Sequence, residues 1–287
     1  MYFLSYSFDA RLFILLKPVY SCAHAQDVGL LIQKIIAIGG GEIGRPKEGG
    51  GKYPFETTSI DKEIIKLSGK THPKLLFIPP ADSAGYASIV KKHFGKRLGC
   101  KVKHLFLTKE KHSRKEIEKE ILSTDIIYVG GGNTLRMLRA WKRHGVGKIL
   151  VKARAKGIVL SGLSAGALCW CKYGHSDSRK FSNKNADYIK ITGLGFIPIL
   201  FCPHYDIERE RQEGLKRMMK KIPGVALAME NCSALEVVGE KARIITSKKS
   251  ANAYKVFWSK GKYFRERIPK GKWFMLSKLI AKKEKSF

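Results

Sequence analysis

Gly162-Leu163-Ser164-Ala165-Gly166 is a G-x-S-x-G run one residue after the apolar stretch Ile158-Val159-Leu160. A serine in such a run sits on a strand-to-helix turn so tight that its neighbours must be small. The turn lifts the hydroxyl above the sheet, where it can attack a carbonyl. The helix expected from Ala165 through Trp170 would aim its N-terminal N–H groups at the oxyanion formed there. A second turn, Gly130-Gly131-Gly132-Asn133-Thr134, follows Ile126-Ile127-Tyr128-Val129. It has neither the G-x-G-x-x-G spacing nor the Gly-Lys-Ser/Thr of a nucleotide loop. Beside a serine nucleophile, Gly132 is better read as an oxyanion donor. Gly39-Gly40-Gly41 fails the same nucleotide test and reads as a turn.

A serine nucleophile needs a base. Of eight histidines, His204 in Phe201-Cys202-Pro203-His204-Tyr205-Asp206 stands out, because it follows the apolar run Ile197–Phe201 and a proline that fixes the backbone. The order serine then histidine suits an elbow-type hydrolase. The base in turn wants a group to hold its tautomer. Asp177, Asp206 and Glu230 are the carboxylates the residues alone offer, and they do not choose among them.

The elements that must position these residues alternate. Short β-branched runs at Ile35–Ile38, Leu75–Ile78, Val102–Leu107, Ile126–Val129 and Ile158–Leu160 end in glycine, proline or serine. Helical patterns lie at Ser59–Leu67, Ala87–Leu98, Arg114–Leu122, Thr134–His144 and Lys148–Ala155. Buried parallel strands covered by helices look like this, and their carboxyl ends are where chemistry sits. The predicted class is therefore α/β with a mostly parallel sheet. Val256–Phe264 reads as a hairpin around Gly261, its aromatics facing the core and its lysines facing water.

The Gly-Gly-Gly-Asn-Thr turn, the Ser-Ala-Gly-Ala elbow and the Pro-His-Tyr segment, in that order, resemble the dipeptidase E and cyanophycinase family of serine peptidases. The resemblance runs from about Lys34 to Glu240. It implies the three-layer α/β/α sandwich of class I glutamine amidotransferases, with Ser164 as nucleophile and His204 as base. Gly132 and Ala165 would supply oxyanion N–H groups, with Asn133 beside them at the substrate. The family acid lies a short loop after the nucleophile, where this chain has His-Ser-Asp-Ser, so the resemblance selects Asp177. Cyanophycinase-like members use a later glutamate; Glu230 is near that place, though the alignment there favours Asn231, which cannot carry charge. The implied substrates are small Asp-containing peptides, and Arg136 or Lys172 could hold a substrate carboxylate.

Composition sets the outer limits. The chain has 287 residues, 44% of them hydrophobic, enough for a sizeable core and too many for a disordered protein. No run reaches the ~18 apolar residues of a membrane span. Lys and Arg number 55 against 24 Asp and Glu, a net +31. Residues 241–287 hold 15 of the cations and two of the acids. That charge makes a nucleic-acid-binding protein on a peptidase-like scaffold the main rival, but no helix-turn-helix, zinc-finger or RNA-recognition signature accompanies it. A non-peptidase amidohydrolase of the same fold is the other. Six cysteines without a C-x-x-C pair read as reduced thiols of a cytoplasmic protein. Cys169, Cys171, Cys202 and His204 lack zinc-ligand spacing, so neither a metal nor another cofactor is expected. The expected partners are a small peptide and at most a second copy of the chain, with no specific nucleic acid and no membrane. Residues 1–33 carry no motif and read as a poorly ordered extension before a single domain at 34–287.

Overall fold

The computed structural model describes residues 33–80, 84–108, 112–207 and 209–282. The order expected of residues 1–32 lies outside them. Five strands form the parallel part of the main sheet: β1 (Lys34–Ile38), β2 (Lys74–Ile78), β3 (Lys101–His104), β4 (Ile126–Val129) and β5 (Val159–Leu163). They lie in the spatial order β1-β5-β4-β2-β3.

Alternation along these strands splits the core in two. Ile36, Ile38, Phe77, Tyr128 and Val159 face α1 (Thr58–Leu67), α2 (Ala84–Val90) and its π-helical continuation Lys91–Arg97. Ile35, Ala37, Leu76, Ile127 and Leu160 face the other way. They pack with Ile117, Met137, Trp141 and Ile149 of α3 (Arg114–Leu122), α4 (Thr134–His144) and α5 (Val146–Ala155). The helical patterns read from the sequence thus match α1, α3, α4 and α5 closely. The pattern at Ala87–Leu98 is α2 and its π continuation in one run.

The second half of the chain departs from the single-sheet expectation. After α6 (Ala165–Leu168), β6 (Cys171–Ser176), β7 (Ile189–Thr192) and β8 (Ile197–Cys202) open a second sheet. Its order is β13-β12-β9-β8-β6-β7, adding β9 (Ala226–Met229), β12 (Ala253–Ser259) and β13 (Lys262–Arg267). One face of that sheet shares a core with the main sheet through Ile197, Phe201, Leu227 and Met229. The other is covered by α7 (Arg209–Lys221) through Leu215 and Met219. The main sheet is extended antiparallel by β10 (Ser233–Val238), β11 (Lys241–Thr246) and β14 (Phe274–Met275), before the short α8 (Leu276–Ile280).

The hairpin is present as β12–β13, turning at Lys260 (φ 48°) and Gly261 (φ 74°). Two positive φ values in a two-residue loop match the twist of the strands it joins. Phe257 is buried and stacked on Phe264, as expected of the core face. Lys260 and Lys262 are exposed, as expected of the water face, while Lys255, just before that segment, is fully buried and its Nζ donates to the carbonyl of Lys278.

Candidate active site

Why Ser164 stands where it does follows from the two glycines flanking it. A Cβ on Gly162 would lie 2.6 Å from the Gly166 carbonyl oxygen and 2.7 Å from that of Val129, and one on Gly166 would collide with the Val129 carbonyl outright. Only glycine lets β4, β5 and the elbow approach this closely. Ser164 takes φ 54° and ψ −105°, a conformation that costs a non-glycine residue about 1–3 kcal/mol. Its N–H donates to the Ile38 carbonyl at the end of β1 (3.0 Å).

The next carbonyl of the same strand end, Gly39, accepts from the His204 N–H (3.1 Å). The backbones of the serine and the histidine are therefore tied to successive peptide units. His204 also has positive φ, 51°. Its Nδ1 meets Asn231 Oδ1 at 2.7 Å. An amide oxygen accepts, so this contact puts the ring proton on Nδ1 and leaves Nε2 as the basic nitrogen. Asn231 is itself held from behind, its backbone N–H donating to Asp206 Oδ1 at 2.8 Å. Gly40 packs under this pair so closely that any side chain would strike both His204 Nδ1 and Asn231 Oδ1.

The carboxylates weighed from sequence have other positions. Asp177 does not meet His204 Nδ1; it accepts from Arg211 Nη2 at 3.1 Å, a guanidinium that is 1% exposed. This corrects the assignment of Asp177 as the group orienting the base. The loop after β6 turns its carboxylate toward α7, where a buried cation demands a counter-charge. Glu230 accepts from the Asn252 N–H (2.7 Å) and the Tyr254 hydroxyl (3.1 Å). Asp206 accepts from the backbone N–H of Asn231, not from His204 Nδ1, which meets Asn231 Oδ1.

On the oxyanion side, the N–H of Gly131 donates to Tyr86 Oη at 3.1 Å, which fixes the peptide next to Gly132. Burial pushes the Tyr86 hydroxyl up to about 12, so it stays protonated. Asn133 caps α4: its Oδ1 accepts from the Arg136 N–H (3.0 Å) and its Nδ2 donates to the Ser178 carbonyl (3.1 Å). Both polar atoms of its side chain are thus engaged within the turn. Ala165 is buried at the start of α6, which is a single turn. The longer helix expected there does not form, because the carbonyls of Cys169 and Trp170 accept from Leu194 and Ile197 of the β7–β8 connection. Local N–H groups, not a long helix dipole, face the serine. Lys172 is exposed with its Nζ over the Tyr173 ring, and Arg136 is exposed on α4.

A cleft of about 630 Å³ opens beside these groups, lined by Gly131, Leu163, His204, Tyr86, Ile89 and Arg45 among others. Arg45 is neutralised there by Glu42 at 2.8 Å. Tyr86 and the positioning of His204 by Asn231 were not read from the sequence. Tyr86 lies outside every motif, and Asn231, which the family alignment favours at the later acid position, was passed over because an amide carries no charge.

Among the described residues, four that are not glycine have positive φ. Lys260 makes the hairpin turn; the others are Ser164, His204 and Cys232, which follows Asn231. Strain of this kind gathers where a site needs it.

A model of peptidase family S51 matches residues 48–245. The uncharacterized peptidase YgaJ of Bacillus subtilis is 32% identical over 229 residues, covering 78% of this chain and 92% of that protein. Peptidase E of Streptomyces coelicolor is 28% identical over 138 residues, 41% of this chain and 51% of its own. Two solved structures share the fold. A peptidase from an acI-B1 actinobacterium has a TM-score of 0.61 at 17% identity, covering 85% of this chain and 97% of its own. A putative peptidase E of Listeria monocytogenes has 0.55 at 20%, covering 74% and 98%.

Proposed function

The chain belongs to peptidase family S51, and on that premise we propose that it is a serine exopeptidase that hydrolyses small Asp-containing peptides through an acyl-enzyme. The observation that carries the reading is the gathering of strained backbone at Ser164, His204 and the residue after Asn231, with serine and histidine anchored on successive carbonyls of one strand end.

Ser164 Oγ attacks the scissile carbonyl while His204 Nε2 takes its proton. The N–H groups of Gly132 and Ala165 receive the oxyanion. The intermediate collapses, the amine leaves with the proton from His204, and water then releases the acyl group by the same steps. Asn231 takes the third place in this account, holding Nδ1–H as asparagine does in Cys-His-Asn proteases. A cleft of about 630 Å³ suits a ligand the size of a short peptide. The acidic preference rests on the family resemblance.

The test is a panel of dipeptides with Asp, Asn, Lys or Ala at the first position. The wild-type chain should turn over the Asp member with the highest kcat/KM, and Ser164→Ala should lower kcat by about 10⁴-fold or more. Equal turnover by Ser164→Ala would overturn the mechanism, and equal kcat/KM across the panel would overturn the acidic preference.

A further inference from the structure

A second concavity, about 940 Å³, begins at Asn133, one residue past the expected oxyanion donor. One wall is α4, presenting Arg136, Arg139, Lys142 and Arg143; the other is the segment after β6, with Arg179 and Ser182. All five cations are exposed, and among the described residues none has an ion pair, side-chain hydrogen bond or ring contact. Among the described residues no carboxylate lines the groove.

Several arginines elsewhere in the chain are paired. Arg45 is paired with Glu42, Arg243 with Glu236 and Arg211 with Asp177. Another concavity mixes Lys180, Lys184, Arg209 and Arg217 with Asp187, Glu210 and Glu213, whereas the one that shares Leu135, Arg139 and Lys142 with the groove likewise has no carboxylate. The groove also opposes its own helix. Arg136, Arg139 and Arg143 follow i, i+3, i+7 spacing, so like charges face one another along one side. Arg136 stands in the first turn, where the helix end is already positive and no acidic residue is present. A bound anion would relieve both costs. The walls are pre-set: Asn133 Nδ2 donates to the Ser178 carbonyl and the Leu135 N–H to Ser178 Oγ, each at 3.1 Å.

We propose that this groove is a binding subsite for the acidic residues of an oligopeptide substrate, extending beyond the two residues that flank the scissile bond. Guanidinium groups at this spacing can grip successive carboxylates. Because the groove starts at the turn beside Ser164, a chain held in it would lead to the serine. The peptide identity of the ligand rests on the peptidase reading; the anion binding does not.

The experiment is a fluorescence-anisotropy titration of full-length Ser164→Ala with labelled hexa-aspartate, hexa-asparagine and a single-stranded oligonucleotide of equal charge. Hexa-aspartate should bind and hexa-asparagine should not. Arg139→Glu/Arg143→Glu, and the milder Arg139→Gln/Arg143→Gln, should weaken hexa-aspartate about fivefold or more. Arg209→Glu/Arg217→Glu, in the mixed concavity, should leave it within about twofold. Unchanged hexa-aspartate affinity in both groove variants would overturn the proposal. So would an oligonucleotide that binds more tightly and loses more, since that assigns the groove to nucleic acid. Binding is read without turnover, so an inactive wild-type chain would sink the peptidase reading and leave this result standing.

Discussion

At the scale of single residues, the account turns on what holds His204. Asn231 Oδ1 sits 2.7 Å from Nδ1, while Asp177 serves Arg211. Asn231→Ala should therefore lower kcat by about 10²-fold or more, since the imidazole loses the acceptor that fixes its tautomer. Asn231→Asp should keep most of the activity, because a carboxylate oxygen accepts the same proton. Asp177→Asn should leave kcat within about threefold yet lower the melting temperature, because it leaves the buried Arg211 short of a counter-charge. The reverse pattern, with kcat collapsing in Asp177→Asn and intact in Asn231→Ala, would return the role to Asp177. The sequence made Ser164 and His204 legible because each closes an apolar run at a turn. It could not rank the third group, which depends on how β8 and β9 bring residues 204 and 231 together across 27 positions.

At the scale of elements, the glycine turn after β4 is shaped from outside its own motif. Tyr86, near the start of α2, accepts the Gly131 N–H. Tyr86→Phe should lower kcat about tenfold with little change in KM, because the ring still packs while the peptide beside Gly132 loses its anchor. A rise in KM with kcat unchanged would make Tyr86 a substrate-binding group instead. Strands β1, β2, β4 and β5 were readable because they are buried on both faces and stay continuously apolar. Strands β6 and β7 were hidden: Lys172, Tyr173, His175 and Lys190 interrupt any pattern, and their register comes from pairing with each other and with β8. The single turn of α6 was missed for a similar reason, since its last carbonyls are claimed by residues more than twenty positions away.

At the scale of the whole molecule, α/β layering was legible from strand–helix alternation, but the second sheet was not. Its strands β8 and β9 carry the same apolar runs as those of the main sheet, and nothing local says which sheet a strand joins. Within the second sheet, His175 is fully buried, stacked on Tyr188 and bonded to Cys202 Sγ. Burial first, then Arg211, Arg217 and Lys180, pushes its imidazole down to about 3. An unfolded chain would take up that proton near 6.5, so its stabilisation is complete above that pH and is lost as pH falls toward 3. Urea midpoints should therefore drop steadily below about pH 6.5, while the His175 ring resonance stays unshifted down to about pH 4. A ring titrating near 6.5 would contradict this. In the proposed mechanism everything depends on Ser164 being an activated nucleophile. The most direct measurement is labelling of the intact protein with a fluorophosphonate, followed by mass mapping of the modified peptide. One adduct is expected, on Ser164, absent in Ser164→Ala and much slowed in His204→Ala. An unlabelled Ser164 in protein that still hydrolyses peptides, or an adduct mapped to another residue, would contradict it.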